Sequence, residues 1–155
     1  MKRFAWTIIV LLGFYVVITV GVILLKNPPL TSNGLTEFNI PGNELKYSIV
    51  IENHEIEQVT IKEVLINGEH IPDRTAIGVG SRLVLGEIEN YQDISFHSIK
   101  DFTILPMREV TAKGNRVFLN YGVQFWNEEP VDSVAIHYTY FGIPYTLNIE
   151  PMKTS

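Results

Sequence analysis

Phe4 to Leu25 (FAWTIIVLLGFYVVITVGVILL) is a run of 22 residues without one charged side chain, bracketed by Lys2-Arg3 and by Lys26. At about 1.5 Å rise per residue the run measures about 33 Å as a helix, enough to cross a hydrocarbon core of about 30 Å. It predicts a single transmembrane helix over residues 4–25, preceded by a short cytoplasmic segment, 1–3. A cleaved signal peptide has an apolar core of about 7–15 residues that ends at a small-x-small site. Here the run is longer, Thr19-Val20-Gly21 lies inside it, and Ser32-Asn33-Gly34 lies well beyond it, so the segment reads as an uncleaved signal anchor. The chain has no cysteine, which excludes a lipid anchor on a modified N-terminal Cys.

Charge sets the orientation. Lys2 and Arg3 precede the run and Lys26 alone follows it, so the positive-inside rule keeps the N-terminus cytoplasmic and sends the rest of the chain outward. The predicted location is the cell membrane, single-pass, with an extracytoplasmic C-terminal domain. Trp6 falls near the inner interface, where amphipathic rings collect. Gly13 and Gly21 are eight residues apart, so the Gly-xxx-Gly dimer spacing is absent and the helix reads as a lone anchor.

The residues beyond the anchor number about 129, the size of one domain with one core. Removing Lys2, Arg3 and Lys26 from the 12 basic residues leaves nine against 17 acidic ones, a formal charge of −8 for the outer part. That field repels nucleic acid and anionic lipid headgroups, and no basic stripe offsets it. Absence of both cysteine and any Asn-x-Ser/Thr acceptor suits a bacterial envelope protein better than a eukaryotic surface glycoprotein.

Asn27-Pro28-Pro29-Leu30-Thr31-Ser32-Asn33-Gly34 is rich in breakers, so residues 26–44 read as a spacer and 45–152 as the folded domain. Period-two alternation then dominates. Tyr47, Ile49 and Ile51 share a face. Val59 and Ile61 share another, but the apolar set resumes at Val64 and Ile66 with the opposite parity, and a one-residue β-bulge near Lys62-Glu63 would restore the register. Asn67-Gly68 supplies positive-φ residues for a tight turn. Arg82-Leu83-Val84-Leu85, Ile94 to Ser98 and Asp101 to Leu105 are short strand candidates, and Lys113-Gly114-Asn115 is a further turn. The longest alternation follows, with Val117, Leu119, Tyr121, Val123 and Phe125 on one side, and predicts a central strand. Val134, Ile136, Tyr138 and Tyr140 form the next apolar face. Phe141-Gly142-Ile143-Pro144 turns into a last strand through Tyr145, Leu147 and Ile149.

Seven or eight short strands with turn signals every 8 to 15 residues predict a mainly β, antiparallel β-sandwich. The arrangement resembles an immunoglobulin-type sandwich without the cysteine pair of the antibody branch, and a small barrel is the competing architecture.

Motifs for chemistry are missing. There is no Gly-x-Ser-x-Gly elbow, no phosphate loop and no dinucleotide fingerprint. His54, His70, His97 and His137 are at least 16 residues apart, and only four aspartates exist, which offers neither a zinc spacing nor a calcium loop. The expectation is a protein without cofactor or metal that is not an enzyme. One cluster stands out: Trp126, His137, Tyr138, Tyr140, Phe141 and Tyr145 gather aromatic rings around one hairpin. They can pack a core or offer a partner a large contact area with polar tips. The reading is a membrane-anchored binding, scaffold or accessory module for another membrane or envelope protein, docked through a sheet edge or this hairpin. The alternative is an envelope hydrolase or small-ligand receptor with a loop-built site around Glu128, Glu129 and His137.

Overall fold

A computed structural model describes residues 2–26, 28–39, 45–80, 94–106 and 120–151. One helix, α1 (Lys2–Lys26), precedes nine strands: β1 (Leu30–Asn39), β2 (Leu45–Asn53), β3 (Val59–Ile66), β4 (Arg74–Gly80), β5 (Ile94–His97), β6 (Thr103–Ile104), β7 (Asn120–Asn127), β8 (Val134–Tyr140) and β9 (Ile143–Ile149). They form two antiparallel sheets, ordered β1-β2-β7-β4-β5 and β6-β3-β8-β9. The chain is therefore mainly β and sandwich-like, and β7, the strand of longest alternation, occupies the centre of the larger sheet. Candidate strand 82–85 and the turn at 113–115 lie outside the described residues.

Between the sheets sits one apolar core. Tyr47, Ile49 and Ile51 of β2 and Tyr121, Val123 and Phe125 of β7 meet Ile61, Val64 and Ile66 of β3 and Ile136, Tyr138 and Tyr140 of β8, all buried. Tyr47 stacks on Phe125, with ring centroids 5.1 Å apart, and its hydroxyl accepts a hydrogen bond from the Val131 amide at 3.2 Å. The opposite face of the larger sheet is closed at its middle as well: Ser48, Val50 and Gln124 are 0%, 3% and 1% exposed.

Two bulges set the registers. In β3, Ile61 faces Tyr138 and Glu63 faces His137, so Lys62 is the inserted residue. It lets Val59 and Ile61 share the core with Val64 and Ile66 despite their parity. Its side chain turns outward to Asp101, 2.6 Å away.

The second bulge corrects the spacer expected at 26–44, because Leu30–Asn39 is strand β1, paired to β2. Ser32 faces Ile51 and Leu35 faces Ile49, one residue too many on β1. Gly34, at φ 97°, takes up the extra residue, so Asn33-Gly34 bulges a strand where it reads as a turn. Leu30 and Leu35, of opposite parity, can then both be buried.

Asn67 (φ 48°) and Gly68 (φ 100°) adopt the positive φ that their sequence predicts. They close a local turn bridged between Ile66 and His70, after which the chain crosses to β4 in the other sheet. Asn67 also pins that end of the molecule. Its Oδ1 accepts from the amides of Asp132 (2.8 Å) and Ser133 (3.3 Å), and its Nδ2 donates to the Pro130 carbonyl.

Candidate functional site

The six aromatic and histidine residues of the hairpin cluster do not form one patch. Tyr138 and Tyr145 stack at 5.6 Å, Tyr140 meets Phe141 at 4.6 Å, and Tyr140 meets Tyr145 edge-on at 6.4 Å. Tyr138 and Tyr140 are core residues, 1% and 3% exposed, whereas Phe141 is 56% exposed. His137 points to the other face of β8 and hydrogen-bonds Glu63 (Nδ1 to Oε1, 3.0 Å). Trp126 belongs to the other sheet. It lies directly between Lys46 and Arg74 on neighbouring strands, with the guanidinium 4.1 Å and the ammonium 5.4 Å from its ring, a cation–π arrangement.

Phe141-Gly142 is a two-residue connection, because Tyr140 pairs with Ile143. Both residues have positive φ, 50° and 75°, the type I′ geometry that favours Asn-Gly. Phe at the first position is costly, since a left-handed conformation strains an L-residue by about 1–2 kcal/mol. Phe141→Asn should therefore stabilise the fold by about 1 kcal/mol, read as a higher denaturation midpoint at unchanged slope. A lower midpoint would mean that the ring's contact with Tyr140 outweighs the strain.

Burial pushes the Tyr138 phenol up to about 12, against a smaller lowering by the Leu30 backbone. The Leu30 backbone approaches the hydroxyl without completing a hydrogen bond, so among the described residues the hydroxyl has no partner, and a buried unsatisfied hydroxyl costs about 1–3 kcal/mol. Tyr138→Phe should thus gain about 1 kcal/mol at pH 7. The folded pKa lies above the unfolded value near 10, so ionisation leaves stability unchanged below pH 10 and lowers it as pH rises toward 12. The phenylalanine variant should lack that part of the alkaline decline in a pH series of unfolding curves. An unchanged alkaline slope would speak against it.

The two ends of the sandwich differ in chemistry. At one end lies an open depression of about 450 Å³ lined by Asn67, His70, Asp73, Asn127, Glu128 and Glu129. Glu128 and Glu129 thus share a depression with His70 and Asp73; the His137 expected beside them is on β8, held by Glu63. Among the described residues no group of three His, Cys, Asp or Glu side chains is placed to hold a metal ion.

Among the described residues the other end carries exposed apolar side chains at its tip, beside the exposed polar residues His54, Glu57 and Gln58. Leu30 pairs with Asn53 and Val59 with Tyr140, so the start of β1, the β2–β3 loop and the β8–β9 hairpin lie together. The Asn53 side chain shapes the loop, accepting from the Glu55 amide at 3.1 Å and donating to the carbonyls of Glu57 (2.9 Å) and Ile104 (3.3 Å). Ile56 is left 71% exposed beside Phe141 and the 36%-exposed Ile143. Burial, then the Glu55 and Glu57 carboxylates, raise the Tyr140 phenol, against a smaller lowering by the Ile56 backbone, which ties this loop to the hairpin. The sequence shows each residue of the tip, but only strand pairing shows that two loops 85 residues apart share it.

In α1 the described side chains are Trp6, Ile8 to Val16, Ile18, Thr19 and Gly21, an interrupted set. Among the described residues no helix is long and apolar enough to cross a membrane; the span predicted by the uncharged run Phe4–Leu25 is accordingly a proposal. Ile8, Ile9, Val10, Leu11, Leu12, Phe14, Tyr15 and Val16 are each at least half exposed. Successive helical residues are about 100° apart, so these cover every side of the helix.

No family model matches the sequence, and no curated protein and no solved structure matches it either.

Proposed function

We propose that the protein is a single-pass membrane protein, N-terminus cytoplasmic, whose extracytoplasmic β-sandwich serves as a binding or scaffold module for another membrane or envelope protein. The observation that carries this reading is the bare apolar helix: a rod that is apolar all round and packs none of its described sides belongs in a membrane or a large core. The outer fold is best described as immunoglobulin-like. Its β1-β2-β7-β4 and β3-β8-β9 neighbours follow the A-B-E-D and C-F-G order of that architecture, with β5 and β6 added between the fourth and fifth common strands.

The protein partner is assigned to a sheet edge. Strand β5 is the last described strand of the larger sheet and carries Phe96, 45% exposed, which suits strand addition. A photoreactive phenylalanine analogue at position 96 of the full chain should trap one defined protein in cells, and Phe96→Asp should abolish binding of that protein. Recovery of the uncrosslinked chain alone would refute the assignment. The alternative, an envelope hydrolase or small-ligand receptor, has the depression around Glu128 and Glu129 in its favour. It requires Glu128→Gln to change a measured turnover or ligand affinity.

A further inference from the structure

The tip formed by the β2–β3 loop and the β8–β9 hairpin lies at the end of the sandwich where the chain enters from α1. Four Cα steps join Lys26 to Leu30, a reach of at most about 15 Å. A 25-residue helix is about 37 Å long, against about 30 Å of hydrocarbon and about 40–45 Å of bilayer with headgroups. A spanning α1 therefore ends within the headgroup layer, and the end of the sandwich that begins at Leu30 is held against that layer. Ile56, Phe141 and Ile143 are exposed at this same end. The strained φ of Phe141 keeps a large apolar ring at the extreme of the hairpin, where Asn would fit the turn better.

We propose that Phe141, Ile143 and Ile56 insert into the interfacial zone of the bilayer that holds α1, so that the sandwich stands on the membrane with Trp126, Glu128 and Glu129 at its far end. This rests on the reading of α1 as a membrane anchor. The occupant of the tip is lipid, since the tether keeps the tip at the bilayer surface and leaves those side chains facing it. Attraction to anionic headgroups plays no part, because Glu55 and Glu57 flank Ile56 and stay in headgroup water. The contact is apolar and insensitive to salt.

The chain contains no cysteine, so single spin labels can be placed without background. Full chains carrying Leu12→Cys, Phe141→Cys, Ile56→Cys or Glu128→Cys are reconstituted in phosphatidylcholine vesicles and probed with oxygen, which partitions into lipid, and with a water-soluble nickel chelate. The ratio of oxygen to nickel collisions at positions 141 and 56 should exceed that at 128 several-fold, at low and high salt alike. The label at 56, with the Phe141 ring intact, guards against damage by the hairpin substitution. A lipid-like ratio at 12 together with water-like ratios at 141 and 56 would overturn the docking and leave the anchor standing. Shielding of 141 and 56 from both reagents would place a protein there and also overturn it. A water-like ratio at 12 would remove the anchor itself.

Discussion

Deleting Lys62 together with Glu63 should unfold the β-sandwich, whereas deleting Lys62 alone should not. Without Lys62 alone, Val59, Ile61, Val64 and Ile66 alternate strictly and each keeps its partner on β8, so the strand loses its bulge and nothing else. Without both residues, the β3 segment after the deletion points the wrong way. Turning Val64 and Ile66, 2% and 0% exposed, out to solvent forfeits about 1.5–3 kcal/mol each. A register slip offers no escape. Val59 is fixed opposite Tyr140, and Asn67 is bonded to Asp132 and Ser133. The summed loss of about 3–6 kcal/mol is a large part of the stability of an ordinary domain. Near-ultraviolet circular dichroism of the full chain in detergent should lose its tertiary signal in the double deletion and keep it in the single one. Lys62→Ala keeps the inserted residue and loses only an exposed ion pair, so it should fold with a small shift. The Lys62 hydrogen bond and charge hold the Asp101 carboxyl below its usual range, so that small contribution is present above the ordinary carboxylate pKa and disappears as pH falls through the lowered value. Loss of the signal in the single deletion, or its retention in the double deletion, would show that alternation along β3 does not set the register.

Leu12→Asp combined with Val16→Asp should release the chain from the membrane. Aspartate near the centre of a spanning helix costs about 2.5–3.5 kcal/mol, so the pair removes about 6 kcal/mol from insertion. Leu12 and Val16 are 65% and 51% exposed and touch none of the core, so the sandwich should keep its near-ultraviolet spectrum. The parent should stay with membranes after alkaline extraction while the double variant moves to the supernatant. Identical partition of the two would count against the anchor.

The strands legible in the sequence were those whose side chains alternate and whose register slips announce themselves. The parity break between Ile61 and Val64 locates the bulge at Lys62 because the residues on either side alternate strictly. Strand β1 escapes the same reading: only Leu30 and Leu35 mark its buried side, and Asn33-Gly34 between them has the chemistry of a turn. Local periodicity also cannot assign strands to sheets. Trp126 precedes the hairpin in sequence yet belongs to the larger sheet, where Arg74 and Lys46 flank it. His137 is claimed by Glu63, its direct neighbour across β3 and β8. Glu128 and Glu129 share a depression with His70 because Asn67 ties the turn after β3 to the loop after β7. Such meetings depend on long-range pairing, which leaves no mark on the spacing of the residues involved.

The central claim is that α1 crosses a membrane once and leaves the β-sandwich outside. Thiol labelling with a membrane-impermeant maleimide tests it most directly, on full chains bearing a single cysteine at Lys2 or at Glu128. Glu128→Cys should be labelled on intact cells and Lys2→Cys only after the membrane is permeabilised. Labelling of Lys2→Cys on intact cells, or protection of Glu128→Cys until permeabilisation, would contradict the account.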